Sequence, residues 1–197
     1  MLPKNTSKII EFLLRNITQQ YNINQIANEL KISVGSSHKI LKKLENEKFV
    51  RAEALGNAIY YRLDLENRET RKVTELVLIE SKKGALQKNS RAKVYAKDLQ
   101  QAEQFSKTII LFGSILEQKD PEDVDVLFLV NKGNVRKVED LCLRLSSLKP
   151  KKIIPLIMTS KDFTNNLKRQ DAVVLDILKK GVVLYGEDNL VNILRDV

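Results

Sequence analysis

The 197-residue chain predicts a two-domain protein of α+β / α/β class. Three observations lead there. Between Ile23 and Leu44, two short amphipathic stretches flank the three-residue turn Lys31-Ile32-Ser33, and β-prone residues then surround Gly56-Asn57. A long helical pattern runs from Glu66 to Leu86. Beyond it, short apolar runs alternate with helical periodicity, as in a mixed sheet with helices packed on it. The expected division is 1–65, a connecting or dimerisation helix at 66–90, and 91–197, each outer part large enough for its own core.

In the first part, Thr6 or Ser7 can cap a helix whose Ile9, Ile10, Leu13 and Leu14 fall at helical spacing. Asn24 is placed as the cap of a second helix ending near Leu30, and Ala27 lets the next helix approach closely. That third helix, Val34–Leu44, is expected to turn Ile32, Val34, Ile40, Leu41 and Leu44 inward. Its exposed side would carry Ser33, Ser36, Ser37, His38, Lys39, Lys42 and Lys43. Val50–Leu63 follows as a hairpin, because Gly56-Asn57 suits a tight turn between β-prone runs. Arg51 and Arg62 lie towards its base and leave the tip nearly uncharged.

In Glu66–Leu86, Val73, Leu76, Val77 and Glu80 share one helical face, widened by Leu78 and Ile79. Gly84 and Gln87-Lys88-Asn89-Ser90 break the pattern, which sets the boundary there. A helix over Arg91–Ser106 is expected to point Val94, Leu99, Ala102 and Phe105 inward. Strands are expected at Ile109–Phe112, Val124–Val130, Ile153–Met158 and Gly181–Gly186, with helices at Val135–Leu148, Lys161–Leu167 and Ala172–Lys180. Ser160 is placed as an N-cap with Asp162 in the first turn.

The chemistry concentrates in Thr108–Val130. One apolar run ends in Gly113-Ser114, and the next begins with Asp123-Val124-Asp125. Residues two apart on a strand share a face, so the two carboxylates project together and repel unless a divalent cation bridges them. Glycine lets a backbone approach a phosphate, which a serine hydroxyl and neighbouring N–H groups can hold. These features point to a site for a divalent cation and a nucleotide on one sheet edge. The plain alternative is an acidic turn that starts a strand and binds nothing.

Composition bounds the function. Net charge is +9 with a pI of about 9.5, which favours a polyanionic partner. The excess is spread: residues 1–86 hold 15 Lys/Arg against 10 Asp/Glu, and the rest 19 against 15. The lone Cys142 excludes an intramolecular disulfide and a cysteine zinc site, and the lone His38 excludes a histidine cluster. No apolar run reaches the ~18 residues of a membrane span, and Met1-Leu2-Pro3-Lys4 does not open a signal peptide. A cytoplasmic protein without a membrane partner is expected.

Two family resemblances follow from these residues. Helix, short turn, second helix and hairpin resemble the winged helix-turn-helix domains of transcription regulators. That resemblance implies double-stranded DNA as partner, with the second helix in the major groove and the hairpin on a neighbouring groove or phosphate. It also implies a homodimer on two half-sites. The helix offers serine and lysine for phosphates, but no Arg, Asn or Gln for bidentate base reading, so weak or shape-dependent specificity is expected. Gly113-Ser114 followed by Asp123-Val124-Asp125 resembles the signature of minimal, polymerase-beta-like nucleotidyltransferases, together with Lys152–Met158 and Ile177–Gly186. In that family Gly and Ser hold the nucleotide, and the two Asp bind magnesium and serve catalysis.

The chain departs from that pattern twice. The loop after Ser114 is short and lacks a further glycine, and Lys151–Met158, where a third carboxylate would stand, contains no acid. Glu117, Asp120 and Glu122 in the loop are the substitutes to examine. Three functions remain in competition. The first is a DNA-binding regulator whose second domain binds nucleotide and magnesium or is degenerate. The second is an active transferase moving a nucleoside monophosphate to a protein or small-molecule hydroxyl, including the antitoxin-type partner of a toxin protein. The third is a purely structural interaction protein.

Overall fold

A computed structural model describes residues 2–117 and 120–197. The elements of the first part are α1 (Lys4–Arg15), β1 (Tyr21–Asn22), α2 (Ile23–Leu30), α3 (Val34–Asn46), β2 (Val50–Leu55) and β3 (Ala58–Leu63). The long helix is α4 (Arg68–Lys88), followed by α5 (Ser90–Leu99). Then come β4 (Ser106–Phe112), β5 (Val124–Val130), α6 (Val135–Ser147), β6 (Ile153–Met158), α7 (Ser160–Lys168), α8 (Ala172–Lys180), β7 (Val182–Tyr185) and α9 (Glu187–Arg195). The result is a mixed α+β structure with two sheets.

In the first part, α2 and α3 enclose the predicted turn, and β2–β3 form the predicted hairpin around Gly56-Asn57, a winged-helix-like portion. Several local assignments change. Asn22, not Asn24, caps α2, because a reciprocal box with Gln25 satisfies both backbone donors. Pro3 precedes α1, so neither Thr6 nor Ser7 caps it. Tyr21-Asn22 adds a third strand beside β3, too short to show alternation in the sequence. Val34 is 51% exposed because it stands in the first turn of α3, ahead of the buried positions Ser37, Leu41 and Leu44.

Helix α4 runs through Gly84 to Lys88, so Gly84, Gln87 and Lys88 do not break it, and only Asn89 interrupts the path by capping α5. Its buried side is Thr70, Thr74, Val77 and Leu78, while Leu76 is 60% exposed. The helix expected over Arg91–Ser106 is shorter, and Val94 faces out. Helix α9 has no counterpart among the expected elements.

The four-stranded sheet has the order β6-β5-β4-β7, with β5 and β6 parallel and the other pairs antiparallel. Alternation divides its side chains between two cores. Ile109, Leu111, Val126 and Phe128 join a layer with α5 and α6. Ile110, Leu127, Leu129 and Val183 face α7, α8 and α9, and this second core continues into Ile9, Leu14, Ile26 and Leu41 of the first part. Among the described residues, no helix is long and apolar enough to cross a membrane.

Arg15 fastens α1 to α8 inside that shared core. Its Nη1 donates to the carbonyls of Leu178 (3.0 Å) and Gly181 (2.8 Å), and its Nε to Glu11 Oε1 (2.8 Å). Ser81 of α4 donates to the same Glu11 oxygen at 2.6 Å. Removing the guanidinium leaves carbonyls at the end of α8 without their donor. Arg15→Ala is therefore expected to cost about 2 kcal/mol in urea unfolding. Arg15→Lys should recover less than half, because one ammonium cannot reproduce the fork.

Candidate functional site

Two constellations were expected, and each has a definite place. The first is on α3. Ser33 caps the helix, its Oγ accepting from the Ser36 N–H at 3.2 Å. His38, Lys39, Lys42 and Lys43 are exposed on one side, and Ser36 is half-buried. Ser37 leaves the expected exposed set. It is fully buried between the helix and the core, and its hydroxyl donates to the Ser33 carbonyl at 3.2 Å. Lys42 and Lys43 reach Glu45 (3.4 Å) and Glu47 (3.7 Å), but such exposed pairs hold a lysine weakly enough for a phosphate to take it.

His38 and Lys39 line a groove between α3 and the hairpin tip, opposite Asn57 and Ile59 and beside Asn22 and Asn24. Sequence reasoning misses these asparagines as site residues, since nothing local places residues 22–24 near residue 57. They bring amide donors and acceptors beside the N-terminal half of α3, whose own amide side chain, Asn46, stands at its far end. Arg51 and Arg62 sit elsewhere. They are cross-strand partners at the hairpin base and line a depression with Ile17–Gln20 and the chain end Leu194–Val197. Arg51 is also tied to Asp64 at 2.7 Å. The structure therefore groups His38 with Lys39 but does not bring the two arginines into that groove.

The second constellation lies where β4 ends and β5 begins. These are the two central strands, so the site is at a strand end rather than on the expected sheet edge. Phe112 pairs with Asp125, and Gly113 leaves β4 with φ 78°, where a side chain is strained. A Cβ on Gly113 would overlap the Asp125 carboxylate, so glycine here makes room for that group. Ser114 opens a single 3-10 turn. Asp123, just ahead of β5, and Asp125 within it are both half-buried. Burial, and then the charge of Asp123, raise the Asp125 carboxyl above its ordinary value of 3.8.

Among the described residues, no third carboxylate joins Asp123 and Asp125 in a group that could hold a metal ion. Asp125 is paired in parallel register with Ile154, which is 44% exposed. Asp162 caps α7 instead: Thr159, not Ser160, is the N-cap, and its hydroxyl bonds Asp162 Oδ2 at 2.6 Å, holding that carboxyl below the usual range. Asp120 turns to Lys151 (3.1 Å) and Arg91 (3.3 Å), and the Lys151 contact chiefly lowers its carboxyl. Glu117 and Glu122 are exposed. The loop residues Gln118 and Lys119, like Met1, lie outside the described residues. Among the described residues, no group of three His, Cys, Asp or Glu side chains could hold a metal ion. Two adjacent carboxylates still suit magnesium brought in with phosphates, which needs only one or two from the protein. Cys142 is buried and its thiol is pushed up to about 12, so it supplies no nucleophile.

The raised Asp125 carboxyl has a consequence for stability. The folded chain holds that proton more tightly than the unfolded chain. The associated stabilisation is present below the unfolded value of 3.8 and is lost as pH rises through the higher folded value. At pH 7, Asp125→Asn should therefore raise the melting temperature, and the gain should vanish near pH 3. A melting temperature unchanged or lowered at pH 7 would contradict it.

No family model matches this chain, and no curated protein matches it. Among solved structures, three mutants of Lactococcus lactis ZitR align with it. One is 21% identical with a TM-score of 0.35, covering 53% of this chain and 75% of that one. A second is 20% identical with a TM-score of 0.33, over 53% and 75%. The third is 20% identical with a TM-score of 0.31, over 50% and 72%. Similarity at this level carries no argument about fold or activity.

Proposed function

We propose that the protein is a DNA-binding regulator whose α3 enters the major groove of double-stranded DNA. One observation carries the reading: His38, Lys39, Lys42 and Lys43 stand exposed on α3, while Ser37, Leu41 and Leu44 anchor its other side in the core. An anchored helix presenting cations can hold phosphates in a fixed register, which positions the protein without yet choosing a sequence. The groove between α3 and the hairpin, with Asn24 and Asn57 on its walls, supplies the polar groups for base edges. Ser33 and Ser36 would serve the backbone, and Arg51 and Arg62 a flanking phosphate if the duplex bends towards the hairpin base. A homodimer on two half-sites accompanies this reading.

Mobility shift on random-sequence duplex across about 50–200 mM salt tests it. Affinity should fall linearly with salt on logarithmic axes, as counterion release requires. Absence of a shifted band at the lowest salt would remove DNA from the partners and leave the structural-protein reading.

A second reading concerns the C-terminal site, favoured by the fit of Gly113 around the Asp125 carboxylate. Gly113 and Ser114 would hold the phosphates of an NTP such as ATP, and Asp123 and Asp125 the magnesium that comes with it. Magnesium would there neutralise phosphate charge; with only two carboxylates in place, binding is better supported than transfer. Incubation with α-labelled nucleoside triphosphates, beside calorimetry of ATP with magnesium, separates the cases. Binding without label transfer fits a nucleotide-sensing regulator. Transfer to a protein hydroxyl, lost in Asp123→Asn/Asp125→Asn, would make it an enzyme, with a toxin-type protein as one acceptor to try. The double variant should leave DNA binding intact.

A further inference from the structure

The β7 side of the four-stranded sheet carries a groove that neither reading uses. Helices α4 and α5 wall a cavity of about 420 Å³ against β4 and β7. Its floor is apolar, built from Leu86, Leu99, Ile109 and Leu184. Val94 (50%) and Tyr185 (37%) remain exposed at its mouth. Lys82, Lys83, Lys93 and Lys97 surround it. Lys82 is already committed, donating to Glu187 Oε1 at 2.7 Å and the Leu184 carbonyl at 2.9 Å. Lys83, Lys93 and Lys97 have no carboxylate partner among the described residues, and Glu103 is the one acid on the wall.

An apolar floor under unpaired cations selects its occupant. A bare inorganic anion would leave the floor wet, and a neutral lipid would leave the lysines without a counter-charge. A carboxylate on an apolar body satisfies both, in a cavity of the size that small ligands fill. We propose that this groove binds a small amphipathic carboxylate of roughly ten heavy atoms in all. Ile109 is the groove's β4 residue, four positions before Gly113, and neither Gly113, Ser114, Asp123 nor Asp125 lines it. Binding here stands or falls independently of DNA and nucleotide. A consequence for DNA would depend on the regulator reading: α4 also braces the turn after α3, through Asn67 Nδ2 to the Lys48 carbonyl at 3.1 Å.

Calorimetric titration of the full chain with octanoate tests the proposal, with octanamide and inorganic phosphate as the other arms. Octanoate should bind with one-to-one stoichiometry and octanamide at least tenfold more weakly, and phosphate should not compete. Lys93→Glu/Lys97→Glu, both exposed and so tolerated by the fold, should weaken octanoate at least tenfold. Val94→Asp, also on the surface, should do the same by putting a like charge at the mouth. Thermal unfolding of each variant checks that it is folded. Absence of octanoate binding, equal binding of octanamide, competition by phosphate, or folded variants that bind octanoate as the parent does would each overturn the proposal.

Discussion

Replacing Lys39, Lys42 and Lys43 together by glutamate is expected to weaken duplex DNA binding by about 100-fold at physiological salt. The three ammonium groups stand on the exposed side of α3, away from Leu41 and Leu44. If each meets one phosphate, losing three contacts should reduce the slope of log affinity against log salt by about 2.7. The slope matters more than the affinity, because a slope counts phosphates and misfolding does not mimic it. Stability should change little. The carboxylates introduced in place of Lys42 and Lys43 would face Glu45 and Glu47. Like charges at such spacing cost only a few tenths of a kcal/mol each, about 0.2–0.5. Retained affinity with an unchanged slope would move the DNA surface off α3.

Gly186→Ala is the substitution with the largest expected effect on the fold. Gly186 has φ 77° and ψ 39°, a left-handed conformation, and begins α9. A methyl group there would overlap the Lys107 carbonyl and lie 2.8 Å from Thr108 Cα, and neither backbone group can swing away. The left-handed backbone costs about 1–2 kcal/mol for an L-residue, and overpacking against fixed atoms about 1–3 kcal/mol more. A loss of about 4 kcal/mol is a large share of a domain's stability. The position also sets α9, whose Leu190, Val191 and Leu194 belong to the core that both parts of the chain share. Urea unfolding reads the loss directly. Gly186→Asn separates the two causes: asparagine tolerates the left-handed region but carries the same Cβ, so it should be no better than alanine. Recovery with asparagine would show that backbone conformation, not overlap, is what excludes alanine.

What the sequence made legible was local. The turn at Lys31–Ser33, the hairpin at Gly56-Asn57 and strands β5 and β6 follow from periodicity and turn chemistry acting over a few residues. Gly113, Asp123 and Asp125 could be placed together because a strand pair and a short loop bring them together within thirteen residues. That β6 contains no acid was equally legible, and Ile154 is its residue paired with Asp125.

The differences between expectation and structure have a common origin as well. Ser37 reads as a surface polar residue, yet one hydrogen bond to the Ser33 carbonyl lets it occupy a core position one turn into α3. Gly84 reads as a helix breaker, but its cost of about 1 kcal/mol is small beside the packing of α4. Helix α9 escapes a sequence reading because it follows β7 directly after Gly186, where the closing strand looks like the end of the fold. Asn24 and Asn57 meet His38 only when the hairpin folds back beside α3.

The sequence alone therefore determined the types of the main elements and the chemistry each could present, because backbone propensity and side-chain alternation are short-range. Tertiary structure decided which of those groups share a surface. It separated Arg51 and Arg62 from Lys39, put Ile154 beside Asp125, and gathered lysines from α4 and α5 around one apolar groove. Those outcomes depend on burying a core that runs from Ile9 to Leu194, and contacts so distant in the chain leave no local trace in the residues that make them.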